Sequence, residues 1–261
     1  MSAPRIRLVT RADDAGSSRS ANRAIREACV AGLARNVSLM APCPHIADAA
    51  AVLRDLPGVC FGMHVTLNCE WEVPRWGPLS PASAVPSLVE ADGSFTRFPV
   101  HLHERNAAVD EMMVEVAAQL AHLRALGFRL SYLDQHMGVG WVCGLGERLS
   151  AFAAREGLID ADRVVRGLPE APTPASPGAD QHVDDLIARL AASPPGTFMA
   201  LGHPCYDDAE MALVHGAGAS AGEVGRDRDG QRRMFLDPRV RAAFAKHDVA
   251  AITYAEAVGA A

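Results

Sequence analysis

The chain has 261 residues, 49% of them hydrophobic and 21% charged, which is enough apolar material for one catalytic domain spanning 1–261. A formal net charge of −6 gives no general attraction to phosphate backbones or anionic lipid, and no apolar run nears the ~18 residues that cross a bilayer. Nucleic-acid and membrane partners are therefore not expected. The six cysteines are scattered without paired zinc-site spacing, and few residues precede the first strand-like run. Both features point to a cytoplasmic protein with reduced thiols and no secretory signal.

The first strand-like run, 6–11, leads into Asp13-Asp14-Ala15-Gly16. Ser20 can cap a helix over 21–35, in which Ala24, Ile25, Ala28 and Cys29 recur at helical spacing. A strand at 37–41, a helix at 46–55 and a strand at 59–67 follow, the last carrying His64. The stretch 71–103 breaks this rhythm: it is rich in Pro and Gly, holds two tryptophans and shows no clear helix, so it reads as a substrate-facing insertion after the third strand. Beyond it lie a helix over 107–126, a strand at 130–135 running into His136, a helix over 146–156 and a strand at 164–166. A connecting loop at 169–179, a helix over 180–191, a second loop at 193–196 and a strand at 197–202 before His203-Pro204 come next. A helix over 238–246 and a strand at 249–254 close the chain. About seven β/α units imply a parallel sheet with helices outside, either open and doubly wound or closed; seven strands favour a distorted (β/α) barrel.

In such a chain the carboxyl ends of successive strands face one side, so Asp13, Asp14, His64, His136 and His203 can converge on one pocket. Neighbouring side chains on a regular strand point to opposite faces. The turn beginning at Ala15-Gly16 would let both aspartates reach the same side, although one of them could simply serve as a cap or turn residue. A lone strand histidine such as His64 is more often a hydrogen-bonded core group. Joined with one carboxylate and His136 it makes a set suited to one divalent metal ion, zinc or magnesium foremost, with manganese, cobalt and nickel also compatible. Asp134, two residues before His136 on the same strand face, could orient an imidazole, and His203 could act as a neutral-pH acid or base. Trp71, Trp76 and Phe95 could stack on a sugar ring or form a loop-stabilising cluster. Arg166, at another strand end, could bind substrate or serve a surface ion pair. His101 and His103 have no companion carboxylate motif.

Taken together, Ala12-Asp13-Asp14 with Gly16 and Asn22, the 37–40 strand, Gly62-Met63-His64-Val65-Thr66-Leu67, Asp134 with His136, Gly202-His203-Pro204 and the closing 252–255 segment resemble the YdjC-like (ChbG/HpnK) family of carbohydrate deacetylases. Glu70-Trp71 and the 75–79 segment also resemble that family's loop after the third strand, and the matches run in order along nearly the whole chain. The resemblance implies a distorted (β/α) barrel and metal-dependent removal of N-acetyl groups from amino sugars or short oligosaccharides. By it, Asp14, His64 and His136 would hold the metal, Asp13 would be the base and His203 the acid. Where relatives carry further histidines after the His136 position, this chain has Met137, Gly138, Val139 and Gly140, so its saccharide contacts are expected to differ. Two alternatives stand beside the deacetylase: a non-catalytic metal-dependent carbohydrate-binding protein, and a hydrolase of another amide or ester. A homo-oligomer is compatible with all three.

Overall fold

A computed structural model describes residues 4–172, 180–216 and 218–259. In chain order the strands are β1 (Ile6–Ala15), β2 (Asn36–Leu39), β3 (Cys60–Val65), β4 (Trp71–Val73), β5 (Leu130–Gln135), β6 (Ile159–Asp160), β7 (Gly196–Gly202), β8 (His215–Gly216) and β9 (Val249–Ile252). The helices are α1 (Arg19–Val30), α2 (Ile46–Leu53), α3 (Pro99–Glu104), α4 (Val109–Ala125), α5 (Leu145–Glu156), α6 (Gln181–Ala192), α7 (Glu223–Met234), α8 (Pro238–Lys246) and α9 (Tyr254–Val258). Among the described residues no helix is long and apolar enough to cross a membrane.

Strand β1 organises the rest because it is buried along nearly its whole length. Its even-numbered residues Ile6, Leu8 and Ala12 enter the main core beneath the helices, which also takes Ile25 of α1, Leu53 of α2 and Leu120 of α4. Val9, on the opposite face, belongs to a small second cluster with Tyr132, Ala161, Ile252 and Tyr254. The period-two alternation of a strand thus separates an outer apolar layer from an inner face that runs Val9, Arg11, Asp13, apolar at the bottom and charged at the top.

Six strands pair in the order β6-β5-β3-β2-β1-β7, with β9 beside the first half of β1, and all these pairings are parallel. The sheet curls into a half-barrel. After β6 at one edge, the chain crosses to the other, where Gly167 makes an isolated parallel bridge to Met199 of β7. The expected strand at 164–166 does not form, the bridge at Gly167 following directly after it, and the strand of that unit lies earlier, at β6. The expected distorted barrel of about seven parallel strands is present.

Other expectations shift. Ser18, not Ser20, caps α1, its side chain accepting from the Ala21 N–H, and the helix ends at Val30 rather than near 35. The stretch 71–103 does contain a helix, α3, whose Pro99 at the first position suits the fixed φ of proline. Its strand β4 pairs antiparallel with β8 in a separate two-stranded sheet. Helix α7 was not expected at all: its sequence EVGRDRDGQRRM has two glycines and almost no apolar stripe. Of the loop expected at 169–179, residues 173–179 lie outside the described residues.

Candidate active site

The carboxyl end of the sheet opens into a cavity of about 550 Å³ whose lining includes Asp13, Asp14, His64, His136, His203 and Arg228. Asp13 and Asp14 reach the same side because Asp14 adopts a left-handed conformation, φ 66°, which breaks the strand's alternation. Asn22 secures the turn that follows. Its Oδ1 accepts from the Gly16 N–H at 2.8 Å, while its Nδ2 donates to Asp48 and to the His45 carbonyl. A side chain at position 16 would meet Ile46 Cδ1 at 2.9 Å, and Gly16 itself has φ 100°. Only glycine suits both constraints.

His64 comes from β3, where Gly62 makes room for the aromatic ring of Tyr132: a Cβ at position 62 would lie 2.1 Å from that ring. His136 follows β5 directly. The chain then turns sharply through Met137 and Gly138, both at positive φ, which lifts it away from the sheet.

Asp14 Oδ1 lies 3.5 Å from His64 Nε2 and 3.5 Å from His136 Nδ1. These separations are too long for good hydrogen bonds, and Asp14 Oδ1 is a buried oxygen with no hydrogen-bond partner. They match the roughly 3.4 Å between ligand atoms that each stand about 2.1 Å from a shared ion in tetrahedral arrangement. The far sides of the same groups are already supported. Arg228 Nη1 meets Asp14 Oδ2 at 2.6 Å, His64 Nδ1 faces Asp134 Oδ1 at 3.1 Å, and His136 Nε2 faces Glu70 Oε2 at 3.0 Å. His136, whose outer nitrogen hydrogen-bonds to Glu70, can present its inner nitrogen as a lone pair, the usual arrangement of a metal-binding histidine, whereas His64 Nδ1 and Asp134 Oδ1 lie in ion-pair contact without a hydrogen bond. Asp134 thus orients His64 rather than His136, whose partner is Glu70 from the segment after β3.

Asp13, His64 and Asp134 form a second close group, but there the charges are already matched. Arg11 grips Asp13 through Nε–Oδ1 at 2.7 Å and Nη2–Oδ2 at 2.8 Å, and its Nη1 lies 2.9 Å from Asp134 Oδ2. Ser38 donates to the same Asp134 oxygen. The Asp14, His64 and His136 group is accordingly the one whose geometry and donor chemistry fit a divalent ion.

The electrostatics agree. Four buried carboxylates (Asp13, Asp14, Glu70, Asp134) face two guanidiniums (Arg11, Arg228), leaving two negative charges if both imidazoles are neutral. Burial alone would depress His64, but Asp134, with Asp14 and Asp13, outweighs it and raises His64 to about 10. Burial opposes Glu70 and Asp14 at His136, which is raised to about 9. Burial would raise Asp14, yet Arg228 and the two histidines hold it well below the usual carboxylate range. Two imidazole protons, or one divalent cation, balance the site.

His203 stands at the end of β7, half-buried. Its backbone N–H donates to Gln231 Oε1 at 2.7 Å, and its Nδ1 lies 3.0 Å from the same oxygen. Gln231 Nε2 donates to Asp227 at 2.7 Å, which sets the amide's orientation and makes Nδ1 the protonated nitrogen of the ring. Nε2 is then the atom available for proton exchange.

The remaining expected residues divide. Trp71 lines the cavity beneath Arg228, whose guanidinium sits 5.0 Å from the ring centroid. Trp76 is buried edge-on against Trp71 and gives its indole N–H to the Asn68 carbonyl, so it stabilises the loop and does not reach the cavity. Phe95 is fully buried. Arg166 is exposed, with its guanidinium 5.6 Å from the Phe198 ring centroid, and does not line the cavity. Sequence reasoning did not assign roles to Arg11, Glu70 or Arg228. Arg11 had a signal, because it shares the face of Asp13 two residues on. Glu70 had one in the resemblance of Glu70-Trp71 to the family's loop after the third strand, while Arg228 had none beyond its residue type, since a polar helix brings it in.

The fold resembles the crystal structure of a protein from Enterococcus faecalis V583 named for cellobiose-phosphate cleavage, with a TM-score of 0.74 at 19% identity over 96% of this chain and 98% of that one. In sequence the chain is similar to a carbohydrate deacetylase of Thermoanaerobacter pseudethanolicus, 26% identical over 89% of this chain and 92% of the relative. It is also similar to a carbohydrate deacetylase of Geobacillus stearothermophilus, 28% identical over 97% and 98% of the two chains. A chitooligosaccharide deacetylase of Enterobacter sp. (strain 638) is 29% identical over 77% and 82%. The profile of the YdjC-like protein family matches residues 7–246, and by that span the chain belongs to this family.

Proposed function

We propose that this protein is a metal-dependent carbohydrate deacetylase that hydrolyses N-acetyl groups of amino sugars or short oligosaccharides. The observation that carries the reading is the convergence of Asp14, His64 and His136 on a buried, unpartnered carboxylate oxygen at the floor of an open cavity. The deacetylase names of full-length relatives support the substrate class. Residues 1–261 act as one catalytic domain. The 71–103 insertion faces the substrate through Trp71, next to Glu70 on the cavity wall. The six cysteines are all free, which supports a reducing, cytoplasmic location.

Asp14, His64 and His136 would hold the divalent ion, zinc or magnesium, with Asp134 and Glu70 fixing the two imidazoles and Arg228 fixing Asp14. Such an ion supplies Lewis acidity, polarising an acyl oxygen and lowering the pKa of water from about 15.7 toward 7. Asp13, held in place by both of its contacts to Arg11, takes a proton from the attacking water. As the C–N bond breaks, His203 gives a proton from Nε2 to the departing amine, while Gln231 keeps the proton on Nδ1. The products are acetate and a free amino sugar.

Acetate release from N-acetylated saccharides, measured with protein reconstituted with zinc or magnesium and with chelator-treated protein, tests the reading. Turnover that requires the ion is expected. Saturable sugar binding with no acetate from any member of a panel would overturn it in favour of a binding protein.

A further inference from the structure

Beside the catalytic cavity lies a second groove of about 350 Å³, and the two share Gln135 and Gly138 in their walls. Trp141 stands on this groove with 55% of its surface exposed, and Met137, between it and His136, is 44% exposed. A tryptophan left this open is uncommon, because indole usually buries most of its area. It is also held in place: the His103 ring of α3 packs at 5.1 Å against the indole, tilted by 52°. The far end of the 71–103 insertion thereby supports the segment that carries Trp141.

The groove's surface is mixed in a specific way. Its lining also includes Asp160, Asp162 and Arg163, with Arg163 3.4 Å from Asp160 and Ser150 donating to the same Asp160 oxygen. Two glycines lie beside the shared wall, and at Gly140 the backbone packs closely against the Gln135 amide. Nothing lies within 4 Å of a Cβ placed on Gly138, and one placed on Gly140 would strike the Gln135 amide at 2.4 Å. Gln135 Oε1 is committed to the Gly140 N–H, which leaves the amide NH2 as a donor at that wall. A groove lined by one exposed aromatic side chain together with carboxylates and a guanidinium matches a pyranose ring, which has an apolar C–H face and a rim of hydroxyls.

We infer that this groove is a second saccharide subsite, in which Trp141 stacks beneath the sugar next to the one being deacetylated, so the preferred substrate is an oligosaccharide of at least two rings. The inference rests on the deacetylase reading and names the substrate length for that same site. A ring in the catalytic cavity and a second over Trp141 would be joined across Gln135 and Gly138. Loss of the indole is expected to weaken capture of the longer substrate more than that of a single sugar.

The test compares N-acetylglucosamine with its β-1,4-linked dimer. In wild-type protein kcat/KM for the dimer should exceed that for the monomer, and Trp141→Ala should reduce this ratio about tenfold, the size of one aromatic stacking contact. Trp141→Phe should restore most of it. A ratio within twofold of wild type in Trp141→Ala overturns the subsite while leaving the deacetylase reading intact. If neither sugar is turned over, the deacetylase reading fails on its own, and intrinsic fluorescence decides the subsite. The dimer should then perturb tryptophan emission of the wild type more than that of Trp141→Ala, in which Trp71 still lines the catalytic cavity, and identical responses from the two proteins would overturn it.

Discussion

Asp13 and Asp14 are neighbours in sequence with different surroundings. Arg11 holds both oxygens of Asp13, whereas Asp14 shares one oxygen with Arg228 and keeps the other for the histidines. Asp13→Asn should therefore lower kcat by about 10²- to 10⁴-fold while the bound metal is retained. Elemental analysis beside steady-state kinetics would check this, and a kcat within a few-fold of wild type would remove Asp13 from the role of base. His64→Ala should instead lose the metal itself. Gln231→Leu deprives His203 Nδ1 of its acceptor and should lower kcat about tenfold with KM little changed. A KM rise at constant kcat would show that Gln231 serves substrate binding instead. At this scale the aspartates and histidines were legible from their strand-end positions. Their partners were less so: Asp134 reaches the neighbouring strand's His64 because parallel register places the two opposite each other, a relation between strands that spacing along one strand does not carry.

Among the elements, β3 and β5 depend on one small residue. Gly62 lies against Tyr132, whose hydroxyl pairs with Ser38 at 2.9 Å, and Ser38 in turn donates to Asp134. Gly62→Ala would force the ring out of its place, which should cost about 1 to 3 kcal/mol as overpacking and loosen the carboxylate that orients His64. A lowered melting temperature together with weaker metal affinity is the expected pair of results. An unchanged melting temperature would show that the ring moves aside freely. The strands themselves were legible because their apolar runs are short and bounded. Helix α7 was not, since Gly225 and Gly230 interrupt it and its surface is mostly charged. It forms because its end packs through Met234 while Arg228 is drawn inward to Asp14. A helix whose apolar contacts come mainly from Val224 and Met234, with its other ties made by charged side chains, leaves little periodicity to read.

For the whole molecule, the charge balance of the site ties stability to pH and to metal. With no ion bound, His64 and His136 are raised from 6.5 to about 10 and about 9, so their protonated forms favour the folded state. That contribution is complete below pH 6.5 and is lost as pH climbs through about 9 and then about 10. Chelator-treated protein should thus melt at progressively lower temperature across this window, as scanning calorimetry would record. A melting temperature that rose across it would contradict the assignment. Divalent ions reverse the sense, because the two protons must leave before the nitrogens can bind, and affinity should weaken as pH falls.

The most direct measurement is calorimetric titration of metal-free protein with zinc at pH 7.5, repeated in buffers of different ionisation enthalpy to count protons. Since both imidazoles are raised well above that pH, the account predicts one ion bound per chain with release of about two protons, and loss of that binding in His64→Ala. Binding with no proton release, or binding unaffected by His64→Ala, would place the ion elsewhere and contradict the proposed centre.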